Sequence, residues 1–368
     1  MKWISIGDIH LQLHYNHGVE TKNGNTRYLD LRNRIQTVAK TAIDQKIDFL
    51  VLLGDEFHSI GPNTPEELRS NFIEDLINPI LQANIPIFAI VGNHNYNGKL
   101  QGLNSIAMMN PNFRLFYKTT KIKFRNETFV FIPWQGELPE VRENEIMFGH
   151  LEVTEGKIGA GERRYGSGIS VARLRKYRGF YLAHFHKHQI FFQGKGRYVG
   201  SLIKIDFSEK DDQKGFTLSE ILPNNDIDNR FIDLPDRNFL EWVVKEEEWT
   251  SHLTHGFMYR GEDPNHKLPF SKGDYRDSIL KITFEGTSPW YMMFDQGVIK
   301  KIFKDKLLVS KILTHKKSRT AQKQLDIDEI KNHPDSIFLE DAITAYCKKI
   351  GREDAIDLGT QILRSLDE

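Results

Sequence analysis

The chain is nearly free of cysteine: Cys347 is the only one, so no internal disulfide forms and the composition fits a reducing compartment. Cys347 itself reads as a packing residue. Also missing is any uninterrupted apolar run approaching the roughly 18 residues that span a bilayer. The opening stretch MKWISIGDIH reaches Asp8 and His10 too soon to supply the apolar segment of a signal peptide. These absences predict a cytoplasmic protein with no membrane association. Nor is there an excess of one charge: 50 basic residues stand against 50 acidic ones, so affinity for nucleic acid has to come from local patches. Internal repeats are absent too.

What remains is ordinary for a folded chain: 368 residues, 39% hydrophobic and 27% charged, enough for one large domain and smaller ones. Strand and helix signals alternate through the first half. KWISIGD reads as a short apolar strand, and YLDLRNRIQTVAKTAIDQ places Leu31, Ile35, Val38 and Ala42 at helical spacing. KIDFLVLLGDEFH and IPIFAIVGNHN are continuously apolar strands of the kind buried on both faces. Between them, TPEELRSNFIEDLINPILQAN opens with Thr64 as N-cap and Pro65 at the first helical position. The later strands, RLFYK, IKFRN, TFVFIPW, NEIMFGH, GFYLAHFH, QIFFQGKGRYVGS and KGFTLSEI, are shorter, often antiparallel in pattern and separated by glycine-containing turns. The pattern predicts an α/β fold of two packed sheets flanked by helices. A boundary falls near Pro235, and residues 235–313 read as a small α/β unit. Residues 314–325 read as a basic linker, and 326–368 carry apolar residues at helical spacing.

The chemistry lies at the strand ends. Asp8 and His10 close one strand, Asp55 and His58 another, Asn93 and His94 a third; His150 ends IMFGH, and His184 and His186 follow FYLA. In a layered α/β domain such ends converge on one edge. His184, His186 and His188 share one face if that strand stays extended. Oxygen and imidazole without thiolate suit manganese, iron(II) or zinc. A pair of divalent ions needs a shared carboxylate, and Asp55 is the natural bridge.

The set GDIH, GDEFH, GNHN, FGH and AHFH resembles the calcineurin-like metallophosphoesterases, and within them the SbcD-type DNA nucleases, the meiotic-recombination-eleven family. RYVGSLIKIDFSEKDDQKGFTLSEI is similar to that subfamily's glycine-serine segment, and LPDRNF to its passage into a capping domain. The likeness covers about residues 1–240. It implies a four-layer α/β/β/α sandwich over residues 1–234, a small α/β capping domain over 235–313 and C-terminal helices that dock on an SbcC-type coiled-coil ATPase. It further implies two divalent ions, most often manganese, one held by Asp8, His10, Asp55 and His186 and the other by Asp55, Asn93, His150 and His184. His94 is expected to protonate the leaving oxygen and His58 to orient DNA. His188 is left as a bystander, and His14 and His17 as exposed loop residues.

The resemblance implies a 3′–5′ exonuclease and single-strand endonuclease acting on DNA ends in repair, as a homodimer. Arg163 and Arg164 in GERRYG, and the run RLRKYR, are candidate phosphate contacts, although such runs are more often solvated faces. One position departs from the family: the usual aspartate after His94 is Asn95. An asparagine accepts the same hydrogen bond without adding charge, so acid catalysis by His94 is expected to be weaker. The competing readings are a phosphatase or nucleotide phosphodiesterase, and a non-catalytic scaffold of the ATPase. Against the protein phosphatases, the second motif continues GDEFHSIG where those usually carry aspartate-arginine-glycine.

Overall fold

A computed structural model of the protein describes residues 1–58, 65–94, 103–140, 142–157, 168–245, 275–286, 309 and 311–318. The chain divides into a unit of Met1–Thr283 with Asp295–His315 and a second of Phe284–Phe294 with Lys316–Glu368. The sheets that carry the candidate site belong to the first.

Apolar residues on both faces of the early strands make them interior strands. β1 (Lys2–Ile6) is followed by a two-residue pair, β2 (Glu20–Thr21) and β3 (Gly24–Asn25), then α1 (Thr26–Asp44) and β4 (Phe49–Leu52). Asn25 caps α1 by accepting from the Arg27 N–H at 3.0 Å. A helix then runs as α2 (Glu66–Phe72), loosens into a π turn over Ile73–Ile77 and resumes as α3 (Asn78–Gln82). Pro79 explains the loosening, because proline lacks an N–H and its ring crowds the carbonyl four residues back. The cap position falls on Pro65, one residue later than the sequence reading placed it, with no side-chain cap bond; Thr64 lies outside the described residues. β5 (Ile87–Ile90), α4 (Asn104–Met109) and β6 (Phe113–Phe116) complete the first half.

The second half supplies β7 (Thr120–Phe124), β8 (Glu127–Ile132), β9 (Glu145–His150), β10 (Gly179–Ala183), β11 (Gln189–Phe191), β12 (Gly196–Tyr198), β13 (Gly215–Ile221) and β14 (Ile227–Asp233). One six-stranded sheet has the order β14-β13-β1-β4-β5-β6 and the other β11-β12-β10-β9-β8-β7. Contrary to the sequence reading, the centre of the second sheet, β8-β9-β10-β12, is parallel. Its crossovers contain no α-helix among the described residues, so no helical period marked them in the sequence.

The sheets pack face to face. Alternation on β4 sends Phe49 and Val51 inward, against Phe129, Phe131, Phe148 and Tyr181, and Leu50 and Leu52 outward against the helices. The stacked pair Trp3 and Phe49, with centroids 5.7 Å apart, sits in this inner layer. Outside the first sheet, Leu31, Ile35, Val38 and Ala42 of α1 join Leu68, Phe72 and Leu76. Outside the second, Val171 and Leu174 of a short 3₁₀ helix cover Val130, Met147 and Phe180. This is the expected four-layer order, with a thin fourth layer.

A third sheet has the order β15-β16-β17, formed by β15 (Phe239–Lys245), β16 (Ile279–Gly286) and β17 (Lys311–Ser318). Residues 314–318, expected to open a linker, therefore have strand backbone. β17 lies at the sheet edge, where a polar run needs no buried face. The rest of that linker and residues 326–368 lie outside the described residues.

The passage into β15 is anchored on α1. Asp236 accepts from both terminal guanidinium nitrogens of Arg27, at 2.6 and 3.1 Å, and from the Lys204 N–H at 2.6 Å. Arg237 grips Asp30 through two bonds of 2.5 and 3.0 Å, and Arg34 donates to the carbonyls of Leu202 and Pro235. Burial disfavours the Asp236 carboxylate, but the Arg27 hydrogen bonds outweigh it and bring the group from 3.8 to about 2. Because the folded value lies below the unfolded one, this stabilisation is complete above the unfolded value and lost as pH falls through about 2. At roughly 1.4 kcal/mol per unit it contributes about 2 kcal/mol. Asp236→Asn is expected to lower stability in urea unfolding by at least about 2 kcal/mol near neutral pH. Near pH ~2, where the wild-type carboxyl also takes up a proton, the difference should shrink sharply.

Candidate metal centre

β1, β4 and β5 are neighbours and parallel in the first sheet, and β9 and β10 are neighbours and parallel in the second. Their carboxyl ends carry Asp8 and His10, Asp55, Asn93 and His94, His150, and His184 with His186. Donor atoms of Asp8, Asp55 and His150 lie within 4.8 Å of one another, as do those of Asp8, His10 and His186, and those of His10, His58 and His94. Asn93 completes the cluster: its Oδ1 lies 2.8 Å from His150 Nε2 and 2.9 Å from His184 Nδ1.

The backbone is strained to achieve this. Asp8 (φ 49°), His10 (φ 49°), Asp55 (φ 56°) and His184 (φ 108°) all have positive φ, a conformation that costs non-glycine residues on the order of 1–3 kcal/mol each. Four such residues in one cluster mark a place where geometry is held against local preference. Glycine makes room beside them: a Cβ on Gly92 would come within 2.2 Å of Asp55 Oδ1.

His150, His184 and His186 are each fixed through one nitrogen by a carbonyl or carboxylate outside the cluster. His150 Nδ1 faces the Leu53 carbonyl at 2.7 Å, which leaves Nε2 directed at Asn93 Oδ1 and, 3.4 Å away, Asp55 Oδ2. His184 Nε2 pairs with Glu152 at 3.0 Å, and its ring stacks on Trp134 with centroids 4.9 Å apart. His186 Nδ1 pairs with Glu209 at 2.7 Å, which leaves its Nε2 3.1 Å from His10 Nε2. His10 Nδ1 is buried without a hydrogen-bond partner.

The electrostatics follow from burial and crowding. Asp8, Asp55 and His150 are 0–1% exposed. Burial pushes Asp8 up and His10 well down. Burial also works against the Asp55 carboxylate, but His150 outweighs it and holds Asp55 well below the usual range. The counterpart is His150, where burial favours the neutral ring yet Asp55 and Asp8 raise it to about 9. Partial burial, with His150 alongside, lowers His184 to about 4. Two carboxylates and an amide oxygen thus converge with ring nitrogens on a space that calls for positive charge. The facing ring nitrogens of His10 and His186, 3.1 Å apart, suit donation to one cation beside them.

The structure also corrects the sequence reading. β10 ends at Ala183 and His184 leaves the extended conformation, so the three histidines do not share a face. His184 turns to Asn93, His186 to His10, and His188 stacks on Phe231 with centroids 4.1 Å apart. His17 is not an exposed loop residue but half-buried between Phe207 and Phe239; His14 is exposed and meets Glu20. His58 lies 5.4 Å from His94, ring to ring, and its carbonyl faces His94 Nδ1 at 2.8 Å. That carbonyl takes the place at Nδ1 expected for residue 95, and Asn95 itself lies outside the described residues. So do Arg163 and Arg164. Arg173, Arg175 and Lys176 are exposed but precede β10, at the edge opposite the cluster, a strand length of roughly 17 Å away.

The sequence reading missed Glu152, Glu209, Lys214 and Trp134, which hold His184 and His186. Glu209 and Lys214 lie inside the glycine-serine segment singled out only by likeness. Burial opposes the Glu209 carboxylate, and its bond to His186 with the Lys214 charge brings it down to about 2.

Fold and cluster together define a metal-dependent phosphoester hydrolase. The profile of the calcineurin-like phosphoesterases matches residues 1–280, and the chain belongs to that family. Shorter stretches are similar to two proteins named DNA double-strand break repair protein Mre11. In Archaeoglobus fulgidus the identity is 34% over 94 residues, 26% of this chain and 19% of that protein. In Methanosarcina mazei it is 34% over 92 residues, 25% of this chain and 14% of that protein. The matches thus span less than a fifth of either relative. Among solved structures, a dimetal phosphatase from Danio rerio aligns over 63% of this chain and 97% of its own, at 12% identity and a TM-score of 0.38. Among the described residues, no helix is long and apolar enough to cross a membrane.

Proposed function

We propose that the protein is a two-metal DNA nuclease, cutting phosphodiester bonds at DNA ends and in single strands. The observation that carries the reading is the meeting of Asp8, His10, Asp55, Asn93, His150, His184 and His186 at one edge, with His58 and His94 beside His10. The partial likeness to Mre11 proteins supports DNA as substrate over a small phosphomonoester.

In this reading Asp8, His10, Asp55 and His186 hold one ion, and Asp55, Asn93, His150 and His184 the other, with Asp55 shared. Manganese fits the oxygen and imidazole donors. Metal bound by these residues would supply Lewis-acid stabilisation of the phosphate charge and a more acidic water. The protein's own contribution is orientation and proton supply. The Asp55 carboxylate takes the His94 N–H at 2.8 Å, and the His58 carbonyl fixes Nδ1, so His94 presents Nε2 to the leaving oxygen. His58 orients the strand from the exposed side. Residues 235–313 would cap duplex DNA, Arg163 and Arg164 would touch phosphates, and 326–368 would dock on an SbcC-type ATPase, with the nuclease as a homodimer.

End-labelled duplex DNA and para-nitrophenyl phosphate, each with added Mn²⁺, discriminate the substrates. Degradation of DNA from its ends with weak turnover of the monoester is the expected result. Rapid monoester hydrolysis with intact DNA would leave the phosphatase reading in its place.

A further inference from the structure

The glycine-serine segment after β12 has a task that the proposed chemistry leaves unused. The chain turns at Gly200 (φ 80°) and reaches a short 3₁₀ turn, Phe207–Glu209, from which Glu209 faces back to His186. One oxygen of its carboxylate meets His186 Nδ1 at 2.7 Å. The other accepts from the Ile205 N–H at 2.9 Å and lies 2.8 Å from Lys214 Nζ. The Lys214 side chain is 0% exposed. Its ammonium also donates to the His186 carbonyl and to Ser201 Oγ, each at 3.0 Å, and the Ser201 N–H donates to that same carbonyl at 3.0 Å. Lys214 therefore holds both the main chain of His186 and the carboxylate that holds its ring.

Alone, a buried ammonium or carboxylate is costly, so their pairing makes each tolerable in place. A proton kept on Nδ1 by Glu209 leaves Nε2 as the lone-pair nitrogen, and the bond also sets the ring's rotation. His184 is held differently: the side chain of its partner Glu152 is 21% exposed, and its opposite support is the face of Trp134.

We infer that Glu209 is a positioning residue, held by Lys214, that fixes the tautomer and aim of His186 and so sets the affinity of the metal position this histidine serves. The inference rests on the reading that the cluster binds metal. The test titrates metal-free full-length protein with Mn²⁺ against a chromogenic chelator, recording the melting temperature of the metal-free form alongside. Glu209→Gln is expected to weaken one Mn²⁺ equivalent by ~10–100-fold, leaving the other within about threefold. Because that variant leaves the buried Lys214 ammonium only the more distant carboxylate of Asp212, 3.7 Å away, its melting temperature should fall. The double variant Glu209→Gln/Lys214→Met removes both charges and is expected to recover melting temperature while the weakened equivalent stays weak. A structural brace alone would make affinity recover together with melting temperature, and that outcome overturns the inference. So does an unchanged affinity in the double variant. A wild-type chain that takes up no Mn²⁺ overturns the metal reading and this inference with it, a result distinct from failure of the variants alone.

Discussion

Asp55→Asn is expected to leave the fold standing and remove both metal uptake and hydrolysis. Its carboxylate, like that of Asp8, lies close to both halves of the cluster: Oδ2 is 3.4 Å from His150 Nε2 and 3.8 Å from His10 Nε2, while Oδ1 accepts the His94 main-chain N–H. Asparagine keeps the shape and one acceptor oxygen but loses the charge, and nearby histidines then face a neutral group. Losing about 4 kcal/mol of transition-state stabilisation corresponds to roughly a thousandfold in rate, and removal of a shared ligand should cost at least that much. Plasma mass spectrometry of dialysed protein should find less than half of the wild-type metal, and circular dichroism should stay unchanged. A variant with full metal content and a rate within about tenfold of wild type would remove Asp55 from the bridging position.

Much of this centre was legible because its residues sit at strand ends, and strand ends are marked by composition. In GDIH, GDEFH and GNHN an apolar run stops at glycine and is followed at once by carboxylate, amide and imidazole side chains. Parallel order then brings the ends together without further information. What escaped depends on contacts that cross the sequence. Nothing local sets Glu209 apart from its acidic neighbours in FSEKDDQK, because its role follows from a turn that brings it to His186, 23 residues earlier. Lys214 reads as a surface lysine until β13 buries it. His17 looked exposed since its partners, Phe207 and Phe239, come from distant segments. The orientation of β8, β9 and β10 was hidden for a related reason: strand direction depends on the crossover, and these crossovers show no helical period. The alternating histidines misled in the opposite sense. Their period-two spacing is real, but His184 breaks the strand, and the break sends His184 and His186 to separate partners.

His94→Gln is expected to separate chemistry from metal binding. His94 is held from two sides, its main-chain N–H on Asp55 Oδ1 and its Nδ1 on the His58 carbonyl, each at 2.8 Å. Neither contact needs Nε2, so the ring keeps one nitrogen for proton transfer. Glutamine preserves the main-chain bond to Asp55 and much of the volume, but it does not exchange a proton in the neutral range. Because a positioned proton donor contributes ~10²- to 10⁴-fold, hydrolysis of a DNA phosphodiester should fall by that order while metal content stays at the wild-type level. The leaving group supplies the control. A substrate ending in para-nitrophenolate leaves as a stable anion and needs little protonation, so the variant should lose far less of its rate on a para-nitrophenyl phosphodiester than on DNA. Equal losses on both substrates would mean that His94 acts by binding the phosphate, and a loss of metal would place it among the ligands. Because Nδ1 meets the main-chain carbonyl of His58, which a side-chain substitution leaves in place, His58→Ala should keep that bond and cost less than His94→Gln on DNA.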